Sequence, residues 1–266
     1  MLAPRIITFT TDFGAKGTYA GQLCGATLSV CPEAILVELT HEVPAHDIVA
    51  GAFLLESGYR AFPRGTIHVV VVDPGVGMSR RAVGVRTDGY YFLAPDNGVL
   101  SRVLDEERVE SAHVLEAAHY RRERVSATFE GRDVFAPAAG WLARGVDLAN
   151  FGHPAGDLVR LPGTPPIAPG APVRIRVVLV DRFGNAILDA KRSVLEPLLD
   201  AGRRLAVRAP AGREITVLRR TYGDGGGEGP FLLFGSSGYL EIAARETSAA
   251  ERLGLAAGSE VVLEVL

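Results

Sequence analysis

Four consecutive valines, Val69-Val70-Val71-Val72, run straight into Asp73-Pro74-Gly75-Val76-Gly77. An unbroken β-branched run reads as a strand buried on both faces, the position of a central strand in an α/β sheet. The run stops on a carboxylate followed by Pro and two Gly. Asp73 therefore falls at the carboxyl end of a central strand, on a tight loop, and in open α/β sheets ligands bind at that edge. An Asp before Pro is also an ordinary turn starter. Its neighbours favour the functional reading. Arg80 and Arg81 lie on the same connection, and two more polar clusters close strand-like runs: Thr10-Thr11-Asp12-Phe13-Gly14 and Ala94-Pro95-Asp96-Asn97-Gly98.

The flanking sequence fits such a sheet. Residues 6–10, 35–39 and 67–72 read as strands, and residues 82–86 and 90–93 as a hairpin around Asp88-Gly89. Residues 19–30, 47–59 and 134–144 have helical spacing, with Asp47 as an N-cap and with Gly21 and Gly25 allowing close packing. Residues 162–170, closing the stretch Leu161-Pro162-Gly163-Thr164-Pro165-Pro166-Ile167-Ala168-Pro169-Gly170, read as a linker. Beyond it the hydrophobic period changes to two over residues 173–180, 204–207, 214–218, 231–234, 239–243 and 260–265. The expectation is an α/β N-terminal domain over residues 1–161 with a central, largely parallel sheet, and an all-β C-terminal domain over residues 171–266, a small barrel being one form of it.

Composition narrows the function classes. The 266 residues carry a net charge of −3 and no basic patch, against a nucleic-acid partner. No segment approaches the ~20 apolar residues of a membrane span. The first five residues enter a strand directly and do not read as a signal peptide. Cys24 and Cys31 have neither metal-ligand nor CxxC spacing, so a reduced, cytoplasmic protein is expected. His41-Glu42-Val43-Pro44-Ala45-His46-Asp47 is not HExxH, and Pro44 prevents a helix there; a turn with a helix cap is the stronger reading over zinc. No GxSxG elbow and no GxGxxG after a strand occur, against a serine hydrolase and a dinucleotide oxidoreductase. The stretch Gly223-Asp224-Gly225-Gly226-Gly227-Glu228-Gly229 lacks the Lys and the strand-to-helix context of a phosphate loop and reads as a flexible hairpin loop. Asp181-Arg182-Phe183-Gly184-Asn185 is, as a bare pattern, a β-turn as readily as a site.

Taken in order, seven segments resemble one family. They are Thr10-Thr11-Asp12-Phe13-Gly14, Thr40-His41-Glu42-Val43-Pro44, Val72-Asp73-Pro74-Gly75-Val76-Gly77, Ala94-Pro95-Asp96-Asn97-Gly98, Thr128-Phe129-Glu130-Gly131-Arg132-Asp133, Asp181-Arg182-Phe183-Gly184-Asn185 and Ser236-Ser237-Gly238-Tyr239-Leu240-Glu241-Ile242-Ala243. Each is modest alone; together they resemble the S-adenosylmethionine hydrolases (hydroxide adenosyltransferases), relatives of the fluorinase and chlorinase. The resemblance implies a homotrimer, with the active site between the N-terminal domain of one subunit and the C-terminal domain of the next. It implies hydrolysis of S-adenosylmethionine, as substrate, to adenosine and methionine, with no cofactor and no metal.

The resemblance also implies roles. Asp12 would hold the ribose hydroxyls, and Asp73 and Arg80 the attacking water. Asp181 and Ser236 would take the methionine end and Asn185 the adenine edge, with Phe183 and Tyr222 as candidate aromatic walls. The family's third water-holding residue is a histidine; here Glu130 takes its place and adds negative charge beside Asp73. Either Arg80 offsets both acids or one of them holds a proton. Two other readings stand beside hydrolysis: a halide-dependent adenosyl transferase, which two acids disfavour, and a binding protein that holds S-adenosylmethionine or adenosine without turnover.

Overall fold

The structure, a computed structural model, describes residues 5–123, 126–210, 212–224 and 229–266, and statements about elements refer to these. The N-terminal reading over residues 1–4 and the hairpin-loop reading over residues 225–228 lie outside them. The chain divides into two compact units, Met1–Leu161 and Pro162–Leu266.

In the first unit the elements run β1 (Ile6–Thr11), α1 (Tyr19–Leu28), β2 (Ile35–Thr40), α2 (Ile48–Tyr59), β3 (Ile67–Val71), β4 (Ala82–Thr87), β5 (Tyr91–Pro95), α3 (Ser101–Glu106), β6 (Val109–Val114) and α4 (Ala136–Ala143). The sheet order is β2-β1-β3-β5-β4-β6. Strands β2, β1, β3 and β5 are parallel, while β4 is antiparallel to both β5 and β6. The sheet is therefore mixed, not largely parallel. Two features account for the correction. The hairpin places β4 antiparallel to β5, and β6, a Val-Glu-Ser-Ala-His-Val segment with little β-propensity, extends that side.

Every residue of β3 is buried, as its valines demand. Buried residues pack on both faces of the sheet, one cluster including Phe9, Val69 and Phe135, the other Tyr59, Val70 and Phe92. Asp47 caps α2, its carboxylate accepting from the Ala50 N–H at 3.0 Å. The close approach expected at Gly21 and Gly25 is not used, since both face open space. It occurs instead at Gly140 of α4, where a Cβ would stand 2.8 Å from Val30.

The chain leaves β1 for β2 on one side and then returns past β1 to β3 on the other. The carboxyl ends of β1 and β3 thus flank the point where the winding reverses direction, which opens a crevice there. Asp12 and Asp73 follow these two strands, and Asp96 follows the adjacent β5.

The second unit contains β7 (Val173–Val180), β8 (Ala186–Lys191), α5 (Arg192–Asp200), β9 (Leu205–Arg208), β10 (Glu214–Ile215), β11 (Phe231–Phe234), β12 (Tyr239–Ala243), α6 (Ala249–Leu253) and β13 (Glu260–Val265). Its sheet order is β10-β9-β13-β7-β8-β12-β11. The unit is sheet-rich, but α5 and α6 correct the all-β expectation. Helix α5 carries Pro197 and buries only Leu195, and α6 is a single capped turn, so neither leaves a long apolar period to read. At the edge of the Pro-rich stretch, Gly170 N–H donates to Val265 O, which ties it to β13. No helix among the described residues is long and apolar enough to cross a membrane.

His68 lies in the core of the first unit with no exposed surface, its Nδ1 2.7 Å from Thr8 Oγ1 and its ring among Tyr59, Phe62, Tyr90 and Phe92. Burial pushes its pKa down to about 3. An unfolded His binds its proton near pH ~6.5, so the unfolded state takes up a proton that the folded state refuses between those values. Stability contributed this way is complete above pH ~6.5 and is lost as the pH falls toward 3, at up to ~1.4 kcal/mol per pH unit. His68→Phe is expected to flatten the acid side of the stability–pH curve measured by urea unfolding between pH 7 and 4. A slope equal to that of the unaltered protein would show that His68 is not the titrating group.

Candidate active site

The loop after β3 doubles back on itself. Val76 N–H donates to Asp73 O at 3.2 Å and Met78 N–H to Gly75 O at 3.1 Å, which returns the chain so that Arg80 meets Asp73. The Arg80 guanidinium grips that carboxylate with two groups: Nε donates to Oδ1 at 3.0 Å, and Nη2 donates to Oδ2. Its remaining Nη1 lies 2.6 Å from Glu130 Oε2. One guanidinium thus holds two carboxylates, and these three side chains by themselves sum to a formal charge of −1 (one positive, two negative). All three side chains are largely buried, at 11%, 4% and 10% exposure for Arg80, Asp73 and Glu130. Burial alone would lower the Arg80 pKa, but its bonds to Asp73 and Glu130 outweigh this and raise it. The guanidinium stays charged. Arg80 contacts both acids at once.

Glu130 reaches this point through an unusual local backbone. Gly131–Phe135 forms a π-helical turn that continues into α4, and Glu130 is its N-terminal flanking residue. Such wide turns are frequent at functional sites. The expected helix over residues 134–144 therefore starts earlier, on the segment that carries the candidate acid.

Asp12 belongs to a second set of contacts. Its Oδ2 accepts the His46 backbone N–H at 2.9 Å, with His46 Nδ1 at 4.0 Å. His46 adopts φ 65°, a left-handed conformation that is rare for a residue other than glycine and that clusters at functional sites. The other histidine of that segment, His41, is committed elsewhere, with Nδ1 2.8 Å from Thr11 Oγ1. Burial holds its pKa below the usual imidazole value. The segment is the structured turn and helix cap favoured over a zinc motif.

The third cluster, Ala94 to Gly98, serves as scaffold. Asp96 accepts from Arg81 Nε at 2.9 Å and from Val159 N–H at 2.8 Å, while Asn97 Nδ2 donates to Val72 O at 2.9 Å. That last bond fixes the end of the valine run beside Asp73.

Asp12, Asp73 and Glu130 share one cavity of about 530 Å³. Its apolar wall includes Phe13, Tyr19 and Phe129, whose ring centroids lie 5.2–5.9 Å apart in edge-on and tilted contacts. This size and mix of apolar walls with a few polar groups is that of a small-molecule site. Sequence reasoning missed the aromatic trio. Phe13 and Phe129 flank two of the quoted acids, and that adjacency was the available signal.

The remaining candidates lie in the second unit. Asp181 accepts from the backbone N–H groups of Phe183 at 2.9 Å and Asn185 at 2.8 Å, and its other oxygen from Asn185 Nδ2 at 2.8 Å. The turn reading is thus realised, and it also presents Asp181 and Asn185 as one unit. Phe183 is 79% and Tyr222 47% exposed, high for aromatic side chains, and Ser236 is exposed. The Tyr222 hydroxyl donates to Glu241 at 2.9 Å.

The family model described as SAM hydroxide adenosyltransferase N-terminal domain matches residues 7–152, and its C-terminal counterpart matches residues 175–262. A protein from Salinispora arenicola named (R)-S-adenosyl-L-methionine hydrolase is 36% identical over 265 residues, covering 96% of this chain and 96% of that one. One of the same name from Thermus thermophilus is 35% identical, covering 97% and 99%. The crystal structure of an uncharacterized conserved protein from Thermotoga maritima superposes with a TM-score of 0.88 at 31% identity, covering 97% of this chain and 99% of that one.

The Arg80 cluster makes a prediction independent of any reaction. Arg80→Met leaves two buried carboxylates without their counter-charge and is expected to lower the unfolding free energy at pH 7 by about 3 kcal/mol. Adding Glu130→Gln should recover part of that loss. Glu130→Gln alone should cost less than Arg80→Met, because it leaves Asp73 paired with Arg80. Urea unfolding of the single and double variants reads both effects, and losses that simply add would mean that the three groups do not act as one cluster.

Proposed function

The chain belongs to the SAM hydroxide adenosyltransferase family, and on that premise we propose that it hydrolyses S-adenosyl-L-methionine to adenosine and L-methionine. The observation that carries this reading is the cavity that brings Asp12, Asp73 and Glu130 together, with Arg80 locked onto the last two. In the proposed step, water held by Asp73, Arg80 and Glu130 attacks the ribose C5′ in line with the sulfonium sulfur. The C–O bond forms as the C–S bond breaks. The bonding pair leaves with sulfur, which becomes the neutral thioether of methionine, and the water's proton passes to a carboxylate and then to solvent. A neutral leaving group needs no general acid. The protein's task is to align the reactants and to hold a poorly solvated nucleophile.

Asp12 is assigned to the ribose hydroxyls, since a carboxylate accepts two hydrogen bonds from a vicinal diol. In the second unit, Asp181 and Ser236 are assigned to the ammonium and carboxylate of the methionine end and Asn185 to the adenine edge, with Phe183 and Tyr222 as aromatic walls. The proposed assembly is a homotrimer. The two carboxylates, Asp73 and Glu130, support water over a halide as nucleophile, because each repels an anion.

In the relatives' name the L prefix already fixes the α-carbon, so the (R) label designates the sulfonium sulfur. We extend that preference to this chain. Incubated with S-adenosyl-L-methionine epimeric at sulfur, the protein is expected to release adenosine and methionine in equal amounts and to stop with the (S) epimer unconsumed. Chromatography showing 5′-halo-adenosine as the main product in chloride buffer, or intact substrate bound without turnover, would overturn hydrolysis. Consumption of both epimers would overturn only the stereochemical part.

The nucleoside and water ends can be separated by mutation. Asp12→Ala is expected to weaken adenosine binding by roughly 1.5–3 kcal/mol, the worth of hydrogen bonds to a charged acceptor. Glu130→His should leave that affinity nearly unchanged while moving the acid limb of the rate profile toward neutral pH, since a free imidazole titrates about two units above a free carboxyl. Calorimetry with adenosine and a pH–rate series test the pair. Superimposable profiles for Glu130→His and the unaltered protein would remove Glu130 from the water site.

A further inference from the structure

Glu241 is a charged residue in the interior of a strand, 4% exposed. It lies in β12, paired with Leu233 of β11 and Ile187 of β8. Its neighbours Leu240 and Ile242 point into the main core of the second unit, so alternation sends the Glu241 side chain to the opposite face. There its Oε2 accepts the Tyr222 hydroxyl at 2.9 Å. Its Oε1 lies against the Gly235 backbone, where a Cβ would come within 1.7 Å, so only glycine at 235 leaves room for the carboxylate. Burial raises the Glu241 pKa, as does the nearby charge of Asp181, against the opposing effect of the Tyr222 bond. Burial likewise raises that of the Tyr222 phenol, and the bond to Glu241 and the charges of Glu241 and Asp181 add to it.

A buried carboxylate is costly, and a stable sheet is better served by an apolar residue at such a position. Here the cost is met by a specific partner: a tyrosine whose ring is half exposed, anchored from below by its hydroxyl. Asp181, close enough to act electrostatically on both groups, brings the Asp181–Asn185 turn into the same polar system.

We propose that Glu241 is a positioning residue of the substrate pocket, holding the exposed Tyr222 ring in place through the phenol hydroxyl. The inference rests on the assignment of Tyr222 and Asp181 to substrate made above. It differs from that assignment in giving a role to a residue that does not touch substrate. The Tyr222 ring supplies contact area, and Glu241 removes the ring's freedom to swing away, so that substrate does not have to order it on binding.

The test measures KM for S-adenosyl-L-methionine, kcat and adenosine affinity. Glu241→Gln keeps an acceptor of the same length and is expected to stay within about twofold of the unaltered protein in all three. Tyr222→Phe keeps the ring but loses the anchor, and Glu241→Leu loses it from the other side. Each is expected to raise KM and weaken adenosine roughly five- to tenfold, with kcat within about twofold, the scale of one ordinary hydrogen bond. The double variant should be no worse than the worse single one, because both remove the same bond. If Glu241→Leu does not fold, Tyr222→Phe and Glu241→Gln still decide the matter. Unchanged KM in Tyr222→Phe, or losses that add in the double variant, overturn the proposal. Tyr222→Ala separates this failure from that of the underlying assignment. If it leaves KM untouched, Tyr222 is no part of the pocket; if it raises KM while Tyr222→Phe does not, the ring matters and Glu241 does not position it.

Discussion

One guanidinium shared between two carboxylates is the interaction on which the first unit's edge depends. Asp73 and Glu130 come from segments far apart in sequence, one ending the valine strand, the other opening the π-helical turn. Without Arg80 they would repel each other in a poorly solvated place, where neither charge is well tolerated. With it, their positions are set to within the geometry of a bidentate contact and one further bond. The arrangement is a means of placing negative charge precisely while keeping the net charge at −1, and the scaffold around it serves the same end. Asn97 ties down the carbonyl of Val72, so the residue next to Asp73 cannot drift.

Asp12 is placed by different means. Its anchor is a backbone N–H offered by a histidine in a left-handed conformation, not a side-chain cation. This backbone donor suits the role proposed for Asp12 at a neutral diol. The two acids at the reversal point of the sheet are thus prepared differently, one held by a guanidinium and the other by a backbone N–H with the His46 imidazole 4.0 Å away.

Much of this was legible in the sequence because it rests on short-range signals. The valine run marked a central strand, and its end lies at the cavity; the hairpin at Asp88-Gly89 and the Asp47 cap were likewise local. What escaped detection is set by tertiary context. Strand β6 has weak propensity and is held by pairing with β4. Strand β8 has an Asp in its interior, and α5 carries a Pro. The aromatic trio joins Phe13 and Tyr19, six residues apart, to the distant Phe129, so no single window of sequence shows all three. Glu241 stood inside a quoted motif but was passed over, since strand alternation there shows a polar residue and gives no sign that the far face is also buried. The mixed character of the sheet follows from the Asp88-Gly89 hairpin together with β6, whose antiparallel pairing with β4 left no signal of its own.

The charge of the site and that of the proposed substrate are linked. S-adenosyl-L-methionine carries a sulfonium, an ammonium and a carboxylate, a net charge of +1. Adenosine is neutral, and methionine is a zwitterion. Carboxylates that attract the substrate therefore lose one unit of attraction when the C–S bond breaks, and in a cavity of reduced dielectric that difference counts for more than in water. The same charges would hold back a halide and would leave water uncharged until its proton is taken. In the proposed reaction, placing Asp73 and Glu130 around one arginine would weaken the hold on products relative to substrate and favour water as the nucleophile. A cluster with a second cation in place of Glu130 would reverse both effects, retaining methionine's carboxylate and inviting an anion into the position of the water.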